Sequence, residues 1–162
     1  MISTRILPLA SLLLAAAIFG FFYAWVCSTM WGLDAVDPKI AIKAMQAMNA
    51  SVRNAVFFPA FFLTPVVLAL TAAALARAHQ LEAGLWFAAA AGVYAIGGFG
   101  VTALVNVPMN QALAQLVIPE STEAAAVVWS DYSQSWQTWN QIRTMASGVA
   151  VLLTGIGLVR IR

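Results

Sequence analysis

Four long stretches of this 162-residue chain contain no charged residue: Ile6 to Met30, Asn54 to Ala76, Ala83 to Val105 and Thr144 to Val159. About 20 apolar residues are enough to carry a helix across a bilayer. The pattern predicts an all-α protein, a four-helix transmembrane bundle with spans near 6–31, 54–76, 84–106 and 142–160. Hydrophobic residues make up 62% of the chain and charged ones 9%, against roughly 25% charged in a soluble domain. Four spans with short joints use the whole length, so a single domain over 1–162 is expected.

A net charge of +2, dispersed along the chain, excludes nucleic acid as a partner. The Ile6 run is too long for a signal-peptide core and no small-residue cleavage site follows it, so it is expected to stay as the first span. Cys27 is the only cysteine, which excludes an internal disulfide; it is expected to be buried as a small hydrophobe.

Four spans place both termini and the Arg77 to Glu82 turn on one side, with Arg5, Arg77, Arg160 and Arg162. Lys39, Lys43, Arg53 and Arg143 fall on the other, so the raw count is a tie. The first set lies directly at span ends, where the positive-inside bias acts most strongly. The expected localisation is therefore integral to the membrane, the bacterial inner membrane, with both termini cytoplasmic and the two long connections facing outward.

Those connections read as helical, extending the second and fourth helices on the outer side over about 38–53 and 122–141. Asp37-Pro38 supplies a cap followed by proline at the first helical position. Ile42, Met45, Asn49, Val52 and Val56 recur on one face and no breaker follows before Pro59, so this helix is expected to run unbroken into the membrane. Between Ser121 and Gly148 there is neither Pro nor Gly, which predicts one long fourth helix.

On the third span, Gly92, Gly97, Gly98 and Gly100 suit close helix contact, and without a strand or lysine they do not form a phosphate loop. Thr102, Asn106 and Asn110 then follow at i, i+4 and i+8 and share a face, with Pro108 removing one backbone hydrogen bond between the asparagines. On the fourth helix Trp129, Tyr132, Trp136, Asn140 and Arg143 fall at offsets 0, 3, 7, 11 and 14, one stripe. Each feature has a plain explanation: Asn and Pro mark helix ends, aromatics favour the interface, and Arg143 suits a snorkelling anchor. Together they suggest an outward cavity with an aromatic wall around one guanidinium, because ionisable groups at membrane depth face the bundle interior. Asn49, a polar group on the apolar face of its helix, joins the set. Such a site suits a flat apolar ligand carrying a carbonyl or phenolate oxygen, and equally a lipid headgroup or a quinone.

The segments Ala44-Met45-Gln46-Ala47-Met48-Asn49, Asn54-Ala55-Val56-Phe57, Thr102 to Asn110 with its Asn-Val-Pro-Met-Asn core, and Trp129-x-x-Tyr132-x-x-x-Trp136-x-x-Trp139-Asn140-Gln141-x-Arg143-Thr144 resemble the anthrone oxygenase-like family of small integral membrane proteins. Gln141 stands where that family often has His. The resemblance implies a cofactor-independent oxygenase that converts anthrones to anthraquinones with O2. In that reading Arg143 stabilises the oxyanion with Asn106 and Asn140, and Asn110, Trp136, Tyr132, Trp129 and Asn49 bind the substrate. Asp131 is the nearest candidate base, off the stripe.

A haem protein needs axial ligands within the spans, whereas the one histidine, His79, lies in the inner turn. No His and carboxylate cluster suits a metal, and no span carries an acid of the kind proton-coupled exporters use. Neither a cofactor nor a metal is expected. The partners expected are membrane lipid and a hydrophobic small molecule, with a homo-oligomer left open. The rival to an enzyme is a scaffold or a lipid- or quinone-binding subunit, in which Asn106, Asn140 and Arg143 tie helices together.

Overall fold

The computed structural model describes residues 3–162, and among these every regular element is helical. Helix α1 joins Ser3–Ala24, a π-helical turn Trp25–Thr29 and a last stretch Met30–Asp34. Helix α2 is Pro38–Ser51 and α3 is Phe57–Arg77. Helix α4 runs through Leu81–Val93, π-helical Tyr94–Gly100 and Thr102–Asn106, and Val107–Gln115. Helix α5 is Thr122–Val159. Helices α1, α3, α4 and α5 are long and apolar enough to cross a membrane, as the charge-free runs require.

The four spans form a ring in which α1 packs on α3, α3 on α4, α4 on α5 and α5 back on α1. Ser11 and Thr71 share a hydrogen bond of 2.8 Å, Arg160 pairs with Glu82 at 2.9 Å, and the Arg162 N–H donates to Gln80 Oε1 at 3.0 Å. These contacts gather the first half of α1, the end of α5 and the α3–α4 turn at one end of the bundle. Ile18, Phe22, Leu68, Phe87 and Tyr94 fill the core between the spans. Leu13, Ile96, Leu104 and Leu152 point outward, the apolar surface that lipid solvates.

A second core fills the opposite, distal end, where α2 lies across α5 and the ends of α1 and α4. Met30, Ile42, Met45, Leu113, Trp129 and Trp136 are buried there. The Asp37 carboxylate accepts from the Lys39 and Ile40 N–H groups, so the expected cap forms. Gln46 donates to the carbonyls of Leu113 and Leu116 at the end of α4, and Lys39 Nζ donates to Glu120 O. Ser121 caps α5 through Ala124 N–H at 3.1 Å.

Two local expectations are corrected. The helix beginning at Pro38 does not run unbroken into the membrane: it ends at Ser51, and a turn separates it from α3. Asn54 causes the break. Its Oδ1 accepts from Val56 and Phe57 N–H at 2.9 Å each, capping α3, while Nδ2 donates to Ser51 O at 2.7 Å. Asparagine stops a helix by offering its own side chain to the backbone groups that would otherwise continue it. Cys27 is exposed, not buried. Trp25 takes the inward face of the helix, and Cys27, two residues on and so on the opposite face, is left outside.

Small residues set the α4–α5 distance. A Cβ on Gly97 would lie 2.4 Å from Ala146 Cβ, and one on Gly98 3.1 Å from Ser147 Oγ. Such contacts make the glycines a packing surface. A further joint follows from Pro65, which lacks the N–H that would bond Phe61 O. The Tyr94 hydroxyl donates to that carbonyl at 3.0 Å, so α4 satisfies what the proline in α3 leaves open.

Candidate functional site

The site lies where the two cores meet. A cavity of about 310 Å³ is walled by Phe21, Phe22 and Trp25 of α1, Met48 and Asn49 of α2, Phe57, Phe58, Phe61 and Phe62 of α3, Thr102, Val107, Asn110 and Gln111 of α4, and Trp136 and Arg143 of α5. Val52 and Arg53 from the α2–α3 turn complete it. The lining grades from buried Phe22, Thr102, Trp136 and Arg143 to exposed Arg53, Phe58, Phe62 and Gln111. The cavity therefore opens beside the α2–α3 turn, between the start of α3 and the Val107–Gln111 segment of α4.

Arg143 forms its floor. The side chain is 5% exposed. Its Nε donates to Asn140 Oδ1 at 2.9 Å and Nη1 to Thr102 Oγ1 at 3.2 Å. The guanidinium carbon sits 4.3 Å from the Phe22 ring centre and 5.0 Å from that of Trp136. No carboxylate pairs with it: the one ion pair among the described residues is Arg160 with Glu82 at the far end. A guanidinium has five N–H donors, and two reach protein acceptors here. Burying an unpaired charge is costly, and ring faces only partly offset that cost.

Asn110 is oriented by its neighbours. Its Oδ1 accepts from Trp136 Nε1 at 2.9 Å and from the Tyr132 hydroxyl at 2.8 Å. An indole N–H only donates, so the amide oxygen must face α5. The Nδ2 then has no protein acceptor among the described residues, and Asn110 lines the cavity. Asn49 Nδ2 donates to the Tyr132 oxygen at 3.4 Å, the buried partner its place on α2 demands.

The predicted residues divide into two groups. Arg143, Asn110, Trp136 and Asn49 line the cavity. Asn106 and Asn140 are 0% and 1% exposed and lie behind the wall, donating to Trp136 O at 3.4 Å and Phe22 O at 3.3 Å. Asn106 Oδ1 has no hydrogen-bond partner among the described residues. Tyr132 reaches the cavity only through Asn110 and Asn49. Trp129 turns away: its Nε1 donates to Asp34 Oδ1 at 2.9 Å. That carboxylate also accepts from Ser133 at 2.7 Å and Gln137 at 2.9 Å, locking the end of α1 to α5. Asp131 and Gln141 are exposed and do not line the cavity.

Sequence reasoning missed the phenylalanine wall, Trp25 and Asp34. Phenylalanines in an apolar span look alike whether they face lipid or a cavity, and Asp34 sits just past a charge-free run with nothing to mark its partner. The π-helical turns were also unmarked, and they adjoin the site: one carries Trp25, 5.1 Å from Trp136, and others carry Tyr94, Thr102 and Asn106. Such turns recur at functional sites.

The family model described as anthrone oxygenase matches residues 47–153. The chain belongs to the anthrone oxygenase family. The matched segment runs from α2 to the membrane half of α5, and it includes Asn49, Asn106, Asn110, Tyr132, Trp136, Asn140 and Arg143. The part of the wall outside it is Phe21, Phe22 and Trp25 of α1. No curated protein and no solved structure shows significant similarity to the chain. Among the described residues no three His, Cys, Asp or Glu side chains cluster as a metal site would require.

Proposed function

We propose that this member of the anthrone oxygenase family oxidises a planar aromatic C–H acid of the anthrone type, using O2 and no cofactor, in the cavity above Arg143. The observation that carries this reading is the Arg143 guanidinium: buried, ringed by aromatic side chains, and facing a cavity without a carboxylate beside it. It suits an oxygen atom that becomes negative during reaction.

An anthrone has a CH2 group opposite a ring carbonyl. Loss of one CH2 proton moves charge to the carbonyl oxygen and makes the ring system fully aromatic. Arg143 N–H groups and Asn110 Nδ2 are donors held in place before reaction, the arrangement that stabilises a developing oxyanion most effectively. The proton leaves to water through the mouth, since no acid or imidazole lines the cavity. The electron-rich anion reacts with O2 at the former CH2 carbon, and the hydroperoxide loses water to leave a carbonyl. The balance is CH2 + O2 → C=O + H2O. Phe22, Trp25, Phe61 and Trp136 supply flat apolar contact for the rings. Asn140 and Thr102 act through Arg143, holding its plane, and Asn106 ties α4 to the backbone of α5.

The alternative of a scaffold or lipid-binding subunit finds support in the closed contacts of Asn106 and Asn140, whose amides meet backbone carbonyls behind the wall. A pure scaffold leaves the cavity-facing donors of Arg143 and Asn110 without a ligand. Turnover under 18O2 tests the oxygenase reading. One 18O atom is expected in the new quinone carbonyl, at a rate above spontaneous oxidation; product formed only at the protein-free rate contradicts it.

A further inference from the structure

The cavity has a second guanidinium, and nothing in the oxyanion mechanism uses it. Arg53 lies on the α2–α3 turn, exposed at the rim, while Arg143 lies buried at the floor. The Arg53 guanidinium forms no hydrogen bond or ion pair among the described residues. Gln111 of α4, also exposed, shares the rim, and its side chain is likewise free of hydrogen bonds among the described residues. Between floor and rim the wall is aromatic and aliphatic, and no Asp or Glu lines it.

This distribution has an electrostatic consequence. Two positive groups face one low-dielectric cavity without a compensating acid, so the field inside favours anions. The floor donors suit a single oxygen on a flat ring. A ligand that satisfied only the floor would leave the rim arginine to water, whereas one carrying an acid at its outer edge would engage both.

We propose that Arg53, with Gln111 beside it, is a specificity-determining site that binds a carboxylate on the substrate, so that the preferred substrate is an aromatic acid rather than a neutral polycycle. This rests on the same cavity being the substrate site. The ring oxygen goes to the Arg143 floor and the carboxylate to the mouth, where the charged group stays partly hydrated and keeps its cost of entry low. The contact is charge-assisted, and arginine suits a carboxylate through its paired N–H groups.

The test uses the full chain in nanodiscs of zwitterionic lipid, so that lipid charge does not discriminate between probes. Anthraquinone-2-carboxylate and anthraquinone are titrated while following quenching of the tryptophans, two of which, Trp25 and Trp136, line the cavity. The wild type is expected to bind the acid roughly tenfold more tightly than the neutral probe, the scale of one charge-assisted hydrogen bond. Arg53→Gln should bring that ratio to about one by weakening binding of the acid, and Arg53→Lys should keep most of it. No preference in the wild type, or a preference that survives in Arg53→Gln, overturns the assignment. The outcome is separable from the oxygenase reading. Acid preference without O2 consumption would sustain Arg53 recognition and sink the oxygenase, while equal turnover of acidic and neutral anthrones would do the reverse.

Discussion

The indole N–H of Trp136 donates to Asn110 Oδ1 across the α4–α5 interface at 2.9 Å, and this one bond decides what the cavity offers a ligand. Because Trp136 only donates, the asparagine oxygen is turned to the wall and its NH2 to the interior. Arg143 then shares its pocket with a neutral donor, and the free polar groups of both are N–H donors.

Asn110→Asp keeps the two acceptor contacts to Trp136 and Tyr132 but exchanges the inward NH2 for a carboxylate oxygen. The fold should persist, with tryptophan fluorescence and thermal midpoint close to wild type. Affinity for anthraquinone-2-carboxylate should fall at least about tenfold, because a charged acceptor now faces the ring oxygen where a donor stood. Unchanged affinity would show that Asn110 does not face it.

Tyr94→Phe removes the donor to Phe61 O and leaves the carbonyl that Pro65 exposes without a partner. Loss of a buried partner typically costs about 1–3 kcal/mol, so the thermal midpoint in detergent should drop. The same substitution with Pro65→Ala, which restores an N–H for that carbonyl, should lose less than Tyr94→Phe alone. Equal losses would contradict the coupling.

Gly97→Ala should push α4 from α5, since its Cβ would fall 2.4 Å from Ala146 Cβ and neither atom is the end of a flexible chain. Overpacking of this kind costs about 1–3 kcal/mol. Ala146→Gly in the same protein should recover most of that loss, which thermal unfolding of the two single variants and the double reads directly.

Asn54→Ala removes a cap made of three hydrogen bonds. A cost of about 1 kcal/mol is expected. The change should appear in hydrogen exchange as faster opening of residues 52–57, the lip of the cavity, with the spans protected as before.

The spans were legible because membrane burial imposes charge-free runs, and the stripe on α5 because five unusual residues obey a helical period. The same period placed Thr102, Asn106 and Asn110 on one face, and each has a hydrogen-bond partner on α5. It could not tell which amide faces a cavity and which closes against a backbone carbonyl, since that depends on side-chain direction. Asn54 was overlooked as a helix breaker because asparagine stops a helix through its own hydrogen bonds, not through missing ones. Trp129 belonged to the stripe, yet its indole answers to Asp34, a residue 95 positions away whose partnership no local pattern reveals.

The central claim is that Arg143 stabilises an oxyanion during O2-dependent oxidation. The most direct measurement is O2 consumption by purified, folded wild type and Arg143→Gln with an anthrone, each corrected for the protein-free rate. Wild type should consume one O2 per quinone formed, and the variant should lose about 10²–10³ of the enzymatic rate, the scale for one oxyanion donor. Equal rates in the two proteins, or consumption in wild type no faster than in buffer, would contradict the account.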